Sequence, residues 1–139
     1  MEARKQFSLL LKEKFDFKKH RSELWRVAAL CRQLRLFDDG IRLLGPIIHR
    51  QRPPGPSVGE RAQYAALLIG VGAISEGQRW LESLGGDDEP NKNLFLAFAH
   101  MGHWDYARAV SPLLDYIGHP KPGVYDKLVA RSHLVHALV

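Results

Sequence analysis

Apolar side chains recur along this chain at intervals of three and four, the spacing of one face of an α-helix, and the strict alternation of a half-buried strand is nearly absent. Breakers punctuate the pattern at Pro53-Pro54-Gly55-Pro56, at Gly85-Gly86-Asp87-Asp88-Glu89-Pro90 and at Gly118-His119-Pro120-Lys121-Pro122-Gly123. The intervals between them, roughly 28 to 32 residues, each have room for two helices of about twelve to fourteen residues and a short turn. The spacing therefore predicts an all-α chain with helix pairs at about 21–52, 57–85 and 90–118. A helix at about 4–19 precedes them, with Phe7, Leu10, Leu11, Phe15 and Phe17 on its apolar side. Another at about 122–138 follows, with Tyr125, Leu128, Val129 and Val135. Ser57 is placed to cap a helix, and Glu60 three residues on completes a capping box. Pro90 and Pro122 suit first-turn positions, where a missing N–H costs nothing. Pro46 and Pro112 fall inside second helices, where each removes a donor and favours a kink. All 139 residues are expected to form one domain.

The chain also resembles itself. Leu24–Leu44, Arg61–Leu81 and Asn91–Ser111 align without gaps. At the turn between paired helices they read Arg35-Leu36-Phe37-Asp38-Asp39-Gly40, Gly72-Ala73-Ile74-Ser75-Glu76-Gly77 and Gly102-His103-Trp104-Asp105-Tyr106-Ala107. Each copy sets a large apolar residue (Phe37, Ile74, Trp104) three before a tiny one (Gly40, Gly77, Ala107). Upstream, Val27, Tyr64 and Leu94 match one another, and Cys31, Leu68 and Phe98 follow four residues later. A tight turn suits Gly72 and Gly102, a tiny residue lets the second helix approach the first, and the large residues fill the gap between neighbouring pairs. Gly77 and Ala107 are thus expected to be buried.

Gly102-His103-Trp104-Asp105-Tyr106-Ala107 resembles the tetratricopeptide repeat, whose first helix ends in Gly-x-aromatic-x-x-Ala. Gly72 to Gly77 is similar, with Ile for the aromatic and Gly for Ala. The resemblance covers about residues 21–118 and implies an α-solenoid of antiparallel pairs acting as a protein-interaction scaffold or adaptor. It also implies a groove lined by first-helix residues beside the core positions. In this chain those are Trp25, Ala29, Arg32 and Gln33, then Ala62, Ala66, Ile69 and Gly70, then Lys92, Leu96, Ala99 and His100. Each set runs i, i+4, i+7, i+8, one stripe of a helix. Chaperone-binding members of the family clamp a terminal carboxylate with Lys, Asn and Arg, and this stripe lacks the Asn residues. A small-residue, apolar stripe with Arg32 and Lys92 at its margins suits a partner's peptide or amphipathic helix carrying acidic residues. The alternative is that neighbouring helices fill it.

Charge adds a second picture. The formal net of +5 is unevenly spread: residues 1–52 hold thirteen Lys and Arg against six acids, and residues 53–139 hold seven against nine. A basic N-terminal third can steer an acidic partner, a nucleic acid or a membrane surface, or serve as a solvated face. A nucleic-acid-binding domain using Arg4, Lys5, Lys12, Lys14, Lys18, Lys19 and Arg21 is one rival reading, but it lacks a recognition motif. A regulatory or assembly segment of a larger enzyme is another. It is raised by the apolar tail Leu134-Val135-His136-Ala137-Leu138-Val139, which also allows self-association through the last helix.

Candidate chemistry is sparse. His100 and His103, and His133 and His136, are each three apart, but no further ligand stands at zinc-site spacing. Cys31 occupies a slot shared with Leu68 and Phe98, the position of a core thiol, and a lone Cys fits a reducing, cytoplasmic setting. Gly70-Val71-Gly72 and Gly77 do not form a phosphate loop, because the preceding residues read as helix rather than strand. Asp87-Asp88-Glu89 lacks the alternation of a calcium loop. Neither an enzymatic centre nor a cofactor or metal site is expected. No run of about 18 apolar residues is present, so no ordinary membrane span is expected.

Overall fold

The computed structural model describes residues 2–14, 19–50, 55–85 and 89–139, of residues 12–14 only the backbone. Phe15, Phe17, Lys18, Pro53, Pro54, Asp87 and Asp88 lie outside the described residues. Among the described residues eight α-helices follow one another: α1 (Glu2–Lys14), α2 (Leu24–Gln33), α3 (Phe37–Ile48), α4 (Val58–Gly70), α5 (Ile74–Glu82), α6 (Asn91–Gly102), α7 (Tyr106–Gly118) and α8 (Val124–Leu138). A 3-10 turn, Arg21–Glu23, leads into α2. The all-helical expectation holds, and no strand occurs among the described residues. No helix is long and apolar enough to cross a membrane among them.

Three connections share one backbone solution. After α2, α4 and α6 the chain turns through Arg35 (φ 60°), Gly72 (φ 93°) and Trp104 (φ 62°), all in the left-handed region. The next residue then donates its N–H back to the last turn of the helix. Leu36 reaches the Cys31 carbonyl at 2.8 Å, Ala73 that of Leu68 at 2.9 Å and Asp105 that of His100 at 2.8 Å. This six-to-one closure satisfies carbonyls that would otherwise lack donors, and the next helix begins two residues after the left-handed one.

The turns reset the register of the third copy. Trp104, not Gly102, is the counterpart of Arg35 and Gly72, so the repeats lie 37 and then 32 residues apart. The large residue opening each second helix is accordingly Phe37, Ile74 and Tyr106, and the small one three further is Gly40, Gly77 and Ala109. Trp104, expected to fill a gap between pairs, is 81% exposed, and Ala107 faces solvent while Ala109 is fully buried. The gap-free alignment failed because it equated two glycines with different duties.

Those duties follow from packing. A Cβ on Gly77 would stand 2.7 Å from the Ala65 carbonyl oxygen, and one on Gly40 would meet Leu67 and Cys31. These glycines set how closely the second helix lies on its neighbours. Gly70 and Gly102 instead receive the large residue of the preceding pair. A Cβ on Gly70 would strike the Phe37 ring at 2.5 Å, and one on Gly102 would meet Ile74 at 2.9 Å. Tyr106 continues the series against α8, its ring 5.5 Å from that of His136.

Packing runs from neighbour to neighbour: α2 on α3 and α4, α3 on α4, α4 on α5 and α6, α5 on α6, α6 on α7, and α7 on α8. Helix α4 lies at the centre, and Ala62 to Leu68 are buried without interruption. Its Tyr64, Leu67 and Leu68 join Leu24, Ala28, Cys31 and the α3 leucines and isoleucines in one apolar cluster. Its Ala62, Ala65 and Ala66 join Leu81, Leu94, Phe95, Leu113 and Tyr116 in another. Trp80 touches both, and its ring meets Tyr64 edge-on at 5.7 Å. The expected capping box opens α4: Ser57 Oγ accepts the Glu60 N–H, and Glu60 accepts that of Ser57. Pro46 and Pro112 lie inside α3 and α7, which run through them as continuous helices.

Candidate functional site

The predicted stripe divides into buried and open parts. Ala62, Ala66 and Ala99 are at most 5% exposed, and Leu96 and Ile69 pack on the core, Ile69 against Gly77. The small residues read as a groove floor are the ones that let helices approach each other, so neighbouring helices occupy them. The third set is also displaced by the two-residue register change: Leu94, Phe98, Met101 and Gly102 of α6, not Lys92, Leu96, Ala99 and His100, correspond to Ala62, Ala66, Ile69 and Gly70. Lys92 is not a free rim cation, because its Nζ donates to the Leu84 carbonyl at 2.9 Å and ties α6 to the end of α5. His100 is half-buried in the last turn of α6.

Arg32 crosses the space expected to hold a partner. Its Nε donates to Gln63 Oε1 at 3.3 Å, and its guanidinium lies 5.0 Å from the centroid of the Phe95 ring. Helices α2, α4 and α6 are thereby bridged by one side chain. Burial pushes the guanidinium's pKa below its ordinary value, an effect opposed by the ionised form of Tyr116 and by the Asp126 carboxylate. A π face and a neutral amide fit a cation whose countercharge is distant. Gln63, buried to 3% exposure, is a site residue that sequence reasoning missed; its spacing of 31 from Arg32 carries no local signal.

One end of the stripe stays open. Trp25, 43% exposed, stands at a cleft of about 330 Å³ whose other walls are Ser57, Gly59, Gln63, Glu89, Pro90, Asn91 and Lys121. The Arg26 guanidinium lies 5.3 Å from the centre of the Trp25 ring. Four separate segments meet here: α2, the N-terminal ends of α4 and α6, and the turn before α8. Glu89 accepts the Asn91 backbone N–H at 3.2 Å, and the bare Cα of Gly59 lets the Glu89 carboxylate lie against the start of α4. The result is an aromatic plate with amide, carboxylate and ammonium groups around it. Such a surface offers ring contact and hydrogen-bonding groups side by side. Of the predicted stripe, Trp25 lines this cleft, and Arg32 reaches it through its hydrogen bond to Gln63.

Other titratable groups are used in packing. Burial and the nearby negative charge of Asp39 raise the Cys31 thiol to about 12, so it remains protonated. His133 lies edge-on to Phe98 at 4.9 Å. Among the described residues no three His, Cys, Asp or Glu side chains converge on a common point. The basic N-terminal set is partly engaged: Arg21 pairs with the buried Glu60 and donates to the Gly55 carbonyl, and Arg4 donates to that of Arg35. A second opening of about 510 Å³, lined by Arg4, Lys5, Ser8, Leu9 and Leu36, lies between α1 and the α2–α3 turn. No family model matches the chain, and no curated protein or solved structure is significantly similar to it.

Proposed function

We propose that this chain is a tetratricopeptide-like protein-interaction module that takes a peptide or helix of a partner protein into the cleft at Trp25. The observation that carries the reading is the half-open Trp25 ring beside the Gln63, Asn91 and Lys121 side chains, an aromatic anchor with a polar surround. The repeated helix pair, with its three like turns and its large-residue-on-glycine contacts, supports the solenoid part of the proposal. A reducing compartment fits the buried thiol of Cys31.

The test is a selection of peptides from a displayed library on the intact protein, followed by affinity measurement on variants. Trp25→Ala weakens the selected peptides by about thirtyfold, the loss of a central anchor residue. Leu114→Ala, an exposed apolar change on α7, leaves them unaffected. Equal affinities for Trp25→Ala and the parent would remove the cleft from consideration.

A further inference from the structure

Helix α1 leaves a gap that its own side chains do not fill. Phe7 and Leu11 pack on the apolar cluster built by α2 and α3, and on the adjoining side of the helix lies the opening of about 510 Å³. Arg4 and Ser8 are four apart, as are Lys5 and Leu9, so these four lining residues form two neighbouring rows along α1. Leu36, just before α3, supplies a wall from the other side. The size falls within the ~300–1,000 Å³ of small-molecule sites.

The two cations on this wall lack a countercharge. Lys5 is exposed and makes no ion pair among the described residues. Arg4 gives one Nη2 hydrogen to the Arg35 carbonyl at 3.3 Å, and its Nε, shielded from solvent, has no acceptor among those residues. The carboxylate tied to the same wall, Asp39, is already committed. Its Oδ1 holds Arg42, and its Oδ2 accepts from the Ser8 hydroxyl at 2.9 Å. No carboxylate is among the described side chains that line the opening. Two cations short of acceptors beside two leucines suit an anion with an apolar tail. A peptide fits less well, because its amide N–H groups need acceptors and Ser8 Oγ is the only one among the described lining side chains. We infer that this opening binds a small amphiphilic carboxylate, whose two oxygens accept from Arg4 and Lys5 and whose unbranched hydrocarbon tail lies between Leu9 and Leu36. The site is distinct from the Trp25 cleft and does not depend on it.

The test titrates the full chain with decanoate, octanoate and decanol by calorimetry and follows the amide signals of Ser8 and Leu36 by NMR. Decanoate binds and shifts both signals. Octanoate, two methylenes shorter, binds about three- to tenfold more weakly. Decanol, with the tail but no charge, binds weaker than decanoate by about tenfold or more. Lys5→Glu weakens decanoate by about tenfold and leaves decanol unchanged. Leu9→Asn weakens both by about three- to tenfold. Both side chains are exposed, so the circular dichroism of each variant stays that of the parent. Trp25→Ala has no effect, which separates this site from the cleft. Absence of decanoate binding, equal affinities for decanoate and decanol, or decanoate binding untouched by both α1 variants overturns the inference. Tighter binding of a short peptide ending in leucine with a free carboxylate also overturns it, by assigning the opening to the end of a protein chain.

Discussion

Helix α4 is apolar around most of its circumference and α8 mixes apolar with charged and polar residues, and their situations are opposite. From Ala62 to Leu68 every residue of α4 is buried, with alanines toward α5 and α6 and large side chains toward α2 and α3. In α8 only Ala130 is buried outright, and the side carrying Val124 and Val135 is open. The difference follows position as well as composition. A helix between two neighbours on each side spends its apolar surface on them, while one packed chiefly on a single neighbour leaves apolar and charged side chains exposed together. The division of small and large residues on α4 adds a finer lesson, since Ala65 and Ala66 mark where helices come closest.

The sharpest way to test that contrast is to place one charge in each helix. Ala66→Glu forces a carboxylate into a site 5% exposed and should cost on the order of 3–5 kcal/mol, much of the stability of a domain this size. Val135→Glu on α8 should stay within about 0.5 kcal/mol. Urea unfolding of both variants decides it, and comparable losses would mean that α8 is enclosed.

A smaller effect tests the corrected register. Gly77→Ala drives a Cβ toward the Ala65 carbonyl and should cost about 1–3 kcal/mol, several degrees in melting temperature. Ala107→Leu should change stability by less than about 0.5 kcal/mol, since Ala107 faces solvent. A marked loss for Ala107→Leu would restore the gap-free alignment.

The smallest effect is a titration at the α8 boundary. Burial, helped by the neighbouring His136, pushes the pKa of His133 below its ordinary 6.5. The unfolded chain therefore binds the proton more readily than the folded one. This contribution to stability is fully present above pH 6.5 and is lost as the pH falls below it. Melting temperatures should thus drop on acidification from pH 7 toward pH 5, a drop that His133→Gln reduces. An identical pH dependence in the variant would assign the effect to other groups.

Much of the helical plan was legible because the periodicity and the breakers agree. The Ser57–Glu60 box opens α4, Gly72 takes the left-handed turn, and Gly77 sits at a contact too close for a Cβ. The third turn was misread because its left-handed residue is Trp104. The closing hydrogen bonds tolerate a side chain there at a cost of about 1 kcal/mol, so no glycine announces it. The stripe was misread for a related reason: an alanine looks the same on a groove floor and in a helix contact, and only the partner helix distinguishes them. The cleft was legible only at Trp25, because its walls come from segments far apart in sequence. Arg32 was read as a rim contact, but its Phe95 partner depends on how three helices meet.

The contacts of Phe37 on Gly70 and Ile74 on Gly102 have a mechanical consequence. Each links one pair to the next, whereas Arg32 spans α2, α4 and α6, so load applied between α2 and α7 is shared between these contacts and that longer bridge. Stretching would therefore strain the glycine contacts and the Arg32 bridge together, and the protein would resist as a unit until that bridge gives way.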